Sequence, residues 1–190
     1  MSNGGQEFGA TCRNWRLEVG VVPKTVALVI AEKIFRDEEY LIPKKILETA
    51  GFRVITASTT NGKAEGKLGA VVRPDRLVAD LESLNLDALI FIGGGGSAQY
   101  FHDPTAHRLA QYFYEQGKII GAICIAPVIL ANAGLLRGKR ATVFPDGQPE
   151  LKAGGAVYTG NPVETDGRII TGNGSEAATL FGAELVKMLT

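Results

Sequence analysis

The run Val26-Ala-Leu-Val-Ile-Ala31 contains no polar residue and is half β-branched. A strand exposes alternate side chains on opposite faces, so one that is apolar at every position must be covered on both sides, the condition of a parallel strand between two layers of helix. Runs of the same kind return at Ala88 to Ile92 and Ile119 to Ile123, and Phe52 to Ala57 supplies a further strand. Parallel neighbours need crossovers, and the intervening segments have helical spacing. One helix is predicted from about Glu38 to Ala50, with Leu41, Ile42, Ile46 and Leu47 on one side and Gly51 as its left-handed cap. A second is predicted over Pro104 to Gln116, ending at Gly117. This alternation predicts a single-domain α/β fold: a doubly wound, mostly parallel sheet with helices on both faces, a flavodoxin-like three-layer sandwich.

The remaining segments fit around that frame. Residues Gly66 to Pro74 read as an extended excursion and Leu77 to Leu84 as a short helix. Asp166-Gly167 between Val163 to Thr165 and Ile169 to Thr171 is a hairpin signal, and a last helix is predicted from Ser175, as N-cap, to Met188. Residues 1–23 show no sustained period and read as an N-terminal arm ahead of a domain spanning 24–190.

Charge and cysteine usage exclude several classes of function. The chain carries 20 Lys plus Arg against 20 Asp plus Glu, so no global field draws it to nucleic acid or an anionic membrane. It has no apolar run of spanning length and no apolar block near the start, so a cytoplasmic location is expected. Its two cysteines, Cys12 and Cys124, make no disulfide framework. With only His102 and His107 to add, five positions apart and on different faces of a helix, no metal site is expected.

Three segments carry chemistry. In Ile119-Ile-Gly-Ala-Ile-Cys-Ile-Ala-Pro-Val-Ile-Leu130 an apolar strand passes into an apolar helix with Cys124 at the junction. A turn that sharp crowds the residues two before and two after its apex, and both are small, Ala122 and Ala126. Pro127 suits a first helical turn. The spacing matches a nucleophile elbow with Cys in place of Ser, and a sulfur at a helix's positive end is expected to have a lowered pKa. Standing alone, Cys124 reads equally well as a small buried hydrophobe. The second segment, Phe91-Ile-Gly-Gly-Gly-Gly-Ser-Ala-Gln99, offers backbone N–H groups as an oxyanion or phosphate cradle, though without the lysine of a Walker loop. The third, Phe35-Arg-Asp-Glu-Glu-Tyr-Leu-Ile-Pro43, places three acids on the same rim. A solvated helix N-terminus accounts for Asp37 and Glu38.

Taken in order, these segments resemble the ThiJ/PfpI superfamily, which has a class I glutamine amidotransferase-like fold. The resemblance covers roughly Lys24 to Thr190. It is carried by Glu39-Tyr-Leu-Ile-Pro43, Gly93-Gly94 with Ala98-Gln99, the Ala122-Ile-Cys-Ile-Ala-Pro127 elbow, Ala133-Gly-Leu-Leu-Arg-Gly138 and Asp166-Gly-Arg-Ile-Ile-Thr171. It implies Cys124 as nucleophile, Glu39 as the carboxyl hydrogen-bonded to its sulfur, and the N–H groups of Gly94 and Ile125 as oxyanion donors. Gly93, Gly95 and His102 are expected near the pocket. No cofactor is implied, and a homodimer is.

The chain departs from the peptidase pattern at one place. Peptidase-like and glyoxalase III branches have His directly after the nucleophile, where this sequence has Ile125. That brings it closer to the Parkinsonism-linked deglycase branch. The expected activity is therefore attack on small reactive carbonyl compounds, of glyoxalase or deglycase type. A redox-sensing or chaperone-like stress protein using oxidised Cys124 is one alternative. An intracellular peptidase or amidase, or an isocyanide hydratase-like hydrolase, is the other.

Overall fold

The computed structural model describes residues 22–190, so the predicted arm, apart from its last two residues, and Cys12 with it lie outside the described residues. In chain order the strands are β1 (Thr25–Val29), β2 (Lys33–Phe35), β3 (Arg53–Ser58), β4 (Ala64–Gly66), β5 (Val71–Val72), β6 (Arg76–Leu77), β7 (Ala88–Phe91), β8 (Ile119–Ile123), β9 (Arg140–Ala141), β10 (Val157–Tyr158), β11 (Val163–Asp166) and β12 (Ile169–Gly172). The α-helices are α1 (Asp37–Thr49), α2 (Pro104–Glu115), α3 (Pro127–Asn132), α4 (Gln148–Ala153) and α5 (Ala178–Leu189).

Seven strands form the central sheet in the order β11-β12-β8-β7-β1-β3-β6. Every neighbouring pair is parallel except the β11–β12 hairpin, which turns at Asp166 and Gly167 as predicted. The apolar runs alternate as a doubly covered sheet requires. Ala27 and Val29 of β1 enter one core with Leu89 and Phe91 of β7 and Ile120 and Ala122 of β8, facing α2, α3 and α4. Val26 and Leu28 enter the other with Ala88, Ile90, Ile119 and Ile123, facing α1 and α5. Burying each Val, Leu, Ile or Phe side chain among these stabilises the fold by about 1.5–3 kcal/mol.

The chain leaves β1 toward β3 on one side and returns through β7 on the other, so the strand order reverses between β1 and β7. The loops beyond the carboxyl ends of strands at such a reversal diverge and leave a crevice. Into it project the segments that follow β1, β7 and β8.

Some local expectations change. Leu41 is 47% exposed while Tyr40, Pro43 and Leu47 are buried, so the apolar face of α1 is turned by about one residue from the predicted one. The excursion after Gly66 belongs to a small sheet in which β4 pairs parallel with β2 and antiparallel with β5. Ser175 makes no side-chain cap; it opens a short 3-10 turn, Ser175–Ala177, that leads into α5.

Candidate active site

Cys124 has φ = 65°, in the left-handed region that side chains with a Cβ rarely enter. Its own backbone bonds hold it there. The Cys124 N–H donates to the Gly172 carbonyl at 2.8 Å, and the Phe144 N–H donates to the Cys124 carbonyl at 2.7 Å. A strained residue persists when its neighbours over-determine it, and here β12 and the segment after β9 do so. Ala122 and Ala126 are fully buried on either side of the turn. The elbow thus has the form its spacing predicts, and Cys124 stands half-buried in the crevice.

Glu39 reaches the same place from α1. Its side chain is 1% exposed, and its carboxyl lies close enough to the Cys124 sulfur for hydrogen bonding to couple them. One of its oxygens, Oε2, makes no hydrogen bond of good geometry. Gly93 forms the floor between the two groups, because a Cβ there would stand 2.5 Å from both Glu39 Oε2 and Cys124 Cβ.

The glycine loop serves close packing more than ligand cradling. A Cβ on Gly94, whose φ is 94°, would lie 2.5 Å from Arg36 N and from Ile34 O, and one on Gly96 would lie 1.7 Å from Lys33 O. Gly95 alone has space around it, with Ile34 Cγ2 at 3.8 Å. The loop is glycine-rich because the backbone of β2 lies against it, and the Arg36 N–H donates to the Gly93 carbonyl at 3.1 Å. The same packing leaves the Gly94 N–H free to donate toward the Cys124 sulfur, as the Ile125 N–H also does.

Burial governs the electrostatics. It pushes the Glu39 carboxyl up to about 7, against the opposing pull of the sulfur hydrogen bond and of Arg36. It also pushes the Cys124 thiol up to about 12; negative charge on Glu39 adds to this, and the Gly94 and Ile125 N–H groups oppose it. This direction is opposite to the lowered thiol pKa expected from the helix tip. Desolvation of a sulfur beside a carboxyl acts against the field of α3, which is only six residues long. The two groups titrate as one unit, losing a first proton near neutrality and the second far above it.

A cavity of about 350 Å³ opens over the pair, lined by Glu39, Gly94, Gly95, Cys124 and Ile125 among the residues singled out from the sequence. His102 is not among the lining residues. It is exposed on the turn before α2 and is corrected from a pocket residue to a surface one. His107 Nε2 lies 2.9 Å from the Phe101 carbonyl, so neither histidine serves the sulfur as a base.

The cavity wall also contains Arg36, Lys67, Phe144, Asp146 and Ser175, which sequence reasoning missed as site residues. Arg36 lies within the acidic segment already noted, whereas Lys67, Phe144 and Asp146 come from stretches with no periodic signal. Asp37 needs a second correction. It is 5% exposed, and its carboxylate accepts the Leu68 N–H at 2.8 Å and the Ala70 N–H at 2.7 Å, so it is a buried anchor and not a solvated helix-end acid. Glu38 does stay near solvent, where it pairs with Arg36 at 2.8 Å.

Known proteins are similar to this chain along nearly its whole length. Residues 24–188 match the model of the DJ-1/PfpI family. The uncharacterized protein MJ0967 of Methanocaldococcus jannaschii is 40% identical over 167 residues, covering 86% of this chain and 82% of that protein. Among solved structures, a ThiJ/PfpI domain protein from Brachyspira murdochii superposes with a TM-score of 0.86 at 32% identity, covering 88% of this chain and 96% of that one. Drosophila melanogaster DJ-1beta superposes with a TM-score of 0.81 at 27% identity, covering 88% and 91%. The reversed strand order, the left-handed cysteine at the elbow and the match from residue 24 to residue 188 lead to one assignment: this chain belongs to the DJ-1/PfpI family.

Proposed function

We propose that the protein is a cysteine-dependent enzyme acting on small reactive carbonyl compounds, of glyoxalase or deglycase type. The observation that carries this reading is the meeting of the Cys124 thiol, the Glu39 carboxyl and the Gly94 and Ile125 N–H groups at one small cavity.

With methylglyoxal the steps balance as follows. Sulfur of Cys124 attacks the aldehyde carbon while Glu39 carboxylate takes the thiol proton, and the Gly94 and Ile125 N–H groups receive the developing alkoxide. Protonation of that oxygen by Glu39 gives a hemithioacetal. Glu39 then carries the C1 proton to C2 through an enediol while the hydroxyl proton on O1 passes to O2, so the aldehyde carbon is oxidised to the thioester carbonyl and the ketone carbon reduced to the carbinol within one molecule. Water hydrolyses the resulting lactoyl thioester, releasing lactate and the thiol.

A single carboxyl suffices for each proton transfer, in keeping with the absence of histidine from the cavity wall. Peptide hydrolysis fits less well. Expelling an amine needs an acid beside the leaving nitrogen, and Ile125 stands where the peptidase branch has its histidine. Lactate formation from methylglyoxal tests the reading. Wild type is expected to turn over, with Cys124→Ser and Glu39→Gln each losing at least about 100-fold; unchanged activity in both variants rejects it.

A second reading is favoured by Glu39 Oε2, which is buried without a partner. If the sulfur were oxidised to sulfinate by two equivalents of peroxide, a protonated Glu39 would gain an acceptor for it. Peptide mass after mild peroxide tests this, the expected result being two oxygens on Cys124 before any on Cys12. The protein is also proposed to be a homodimer, which sedimentation velocity checks.

A further inference from the structure

Lys67 stands at the cavity. It lines the wall beside Arg36, yet its ammonium group has no hydrogen-bond or ion-pair partner among the described residues. Its placement comes from elsewhere. The turn that carries it is held by two amides, Leu68 N–H and Ala70 N–H, on the buried Asp37 carboxylate. The Lys67 N–H donates in addition to the Phe35 carbonyl at 2.8 Å. Gly66 has no side chain because a Cβ there would stand 2.5 Å from Asp37 Oδ1. An exposed lysine on a turn built around a buried carboxylate is a charge with a fixed base.

Arg36 adds a second cationic group. Its Nε and Nη2 are taken by Glu38, at 2.8 and 3.1 Å, which leaves Nη1 without a partner among the described residues. Asp146 is the acid on the cavity wall besides Glu39. Glu39 and Cys124 carry their shared negative charge at the cavity floor. A ligand whose carbonyl reaches Cys124 thus has two donors available for an anionic group at its other end.

We propose that Lys67, placed by the turn anchored on Asp37 and assisted by Arg36, is a specificity-determining residue that selects small carbonyl compounds carrying a carboxylate over neutral ones. The selection among carbonyl compounds rests on the chemistry proposed above, but anion selection is a property of the cavity and is measurable without turnover.

The test uses two alkylating probes of nearly equal size, iodoacetate and iodoacetamide, which differ by one negative charge. Rates of Cys124 modification are read by peptide mass, so that Cys12 does not confuse them. A unit charge at the cavity mouth changes the local concentration of an anion by about three- to tenfold in a water-rich setting. The iodoacetate-to-iodoacetamide rate ratio is therefore expected to fall about three- to tenfold in Lys67→Ala, fall further in Lys67→Glu and return in Lys67→Arg. High salt is expected to bring the wild-type ratio down to that of Lys67→Ala, because an exposed charge is screened. An equal ratio in wild type and Lys67→Ala overturns the proposal. Lack of methylglyoxal turnover together with the expected ratios would reject the reaction and leave anion selection standing.

Discussion

Gly93 and Glu39 compete for one space: a Cβ on Gly93 would stand 2.5 Å from Glu39 Oε2, and on its other sides 2.5 Å from Cys124 Cβ and 2.7 Å from the Ile123 carbonyl oxygen. Real carbon contacts do not reach these distances, and one of the three neighbours is backbone. Gly93→Ala is therefore expected to displace the Glu39 carboxyl from the sulfur and to destabilise the fold by about 1–3 kcal/mol. Thermal denaturation and the Cys124 alkylation rate check both halves. A variant with unchanged melting temperature and unchanged alkylation contradicts the packing described.

Burial of Glu39 has a cost that depends on pH. Its folded pKa of about 7 lies above the ordinary value of 4.5, so between those values the folded protein binds more protons than the unfolded one. Stability then falls as pH rises from 4.5 to 7 and levels off above, by on the order of 3 kcal/mol from this group. Glu39→Gln removes the cost. It is expected to melt higher than wild type at pH 8 and no higher at pH 4, as calorimetry at the two pH values reads directly.

The same coupling sets the reactivity of Cys124. The pair sheds its first proton near pH 7, and the thiol's own pKa is pushed up to about 12. Alkylation by iodoacetamide is expected to rise through pH 7 as Glu39 becomes able to take the thiol proton, then to hold a plateau until far higher pH. In Glu39→Gln the step near pH 7 should vanish. If wild type shows no such step, the carboxyl does not assist the sulfur.

Asp37 holds the turn that carries Lys67. Its carboxylate takes two backbone amides, and Asp37→Ala leaves both without that partner. A charge-assisted hydrogen bond contributes about 1.5–3 kcal/mol, so losing two is expected to cost about 3–6 kcal/mol, with Asp37→Asn, which keeps one acceptor, near half of that. Hydrogen exchange at the Leu68 and Ala70 amides, faster in both variants, locates the effect. Protection equal to wild type would show that the turn does not depend on the carboxylate.

The layers of the fold were legible in the sequence because their signals are short-range. Val26 to Ala31 and Ile119 to Ile123 announce doubly covered strands by composition, and Asp166-Gly167 announces its hairpin by backbone preference. The elbow was legible for the same reason, since the smallness of Ala122 and Ala126 and the position of Pro127 are requirements of a turn a few residues long. Leu41 misled because helical spacing says that a face is apolar without saying where α5 will lie against α1. Ser175 looked like a cap because its type fits one, although the chain enters α5 through a 3-10 turn whose first residue borders the cavity.

Asp37 and Lys67 could not be paired from the sequence, because some thirty residues and a small sheet separate them, and an acid at the start of α1 is ordinarily solvated. The burial that raises the thiol's pKa was hidden on similar grounds: a helix tip is visible in a string of residues, whereas the depth of a sulfur beneath its neighbours is not. The residues in their order determined the parallel sheet and the sharp strand-to-helix turn at Cys124, since backbone geometry and side-chain alternation depend on near neighbours; Glu39 was singled out by the resemblance to the ThiJ/PfpI superfamily. Tertiary structure alone decided which acids lose water, which cations face the cavity and how strongly Cys124 and Glu39 hold their protons, because desolvation and Coulomb interaction act through space between segments far apart in the chain.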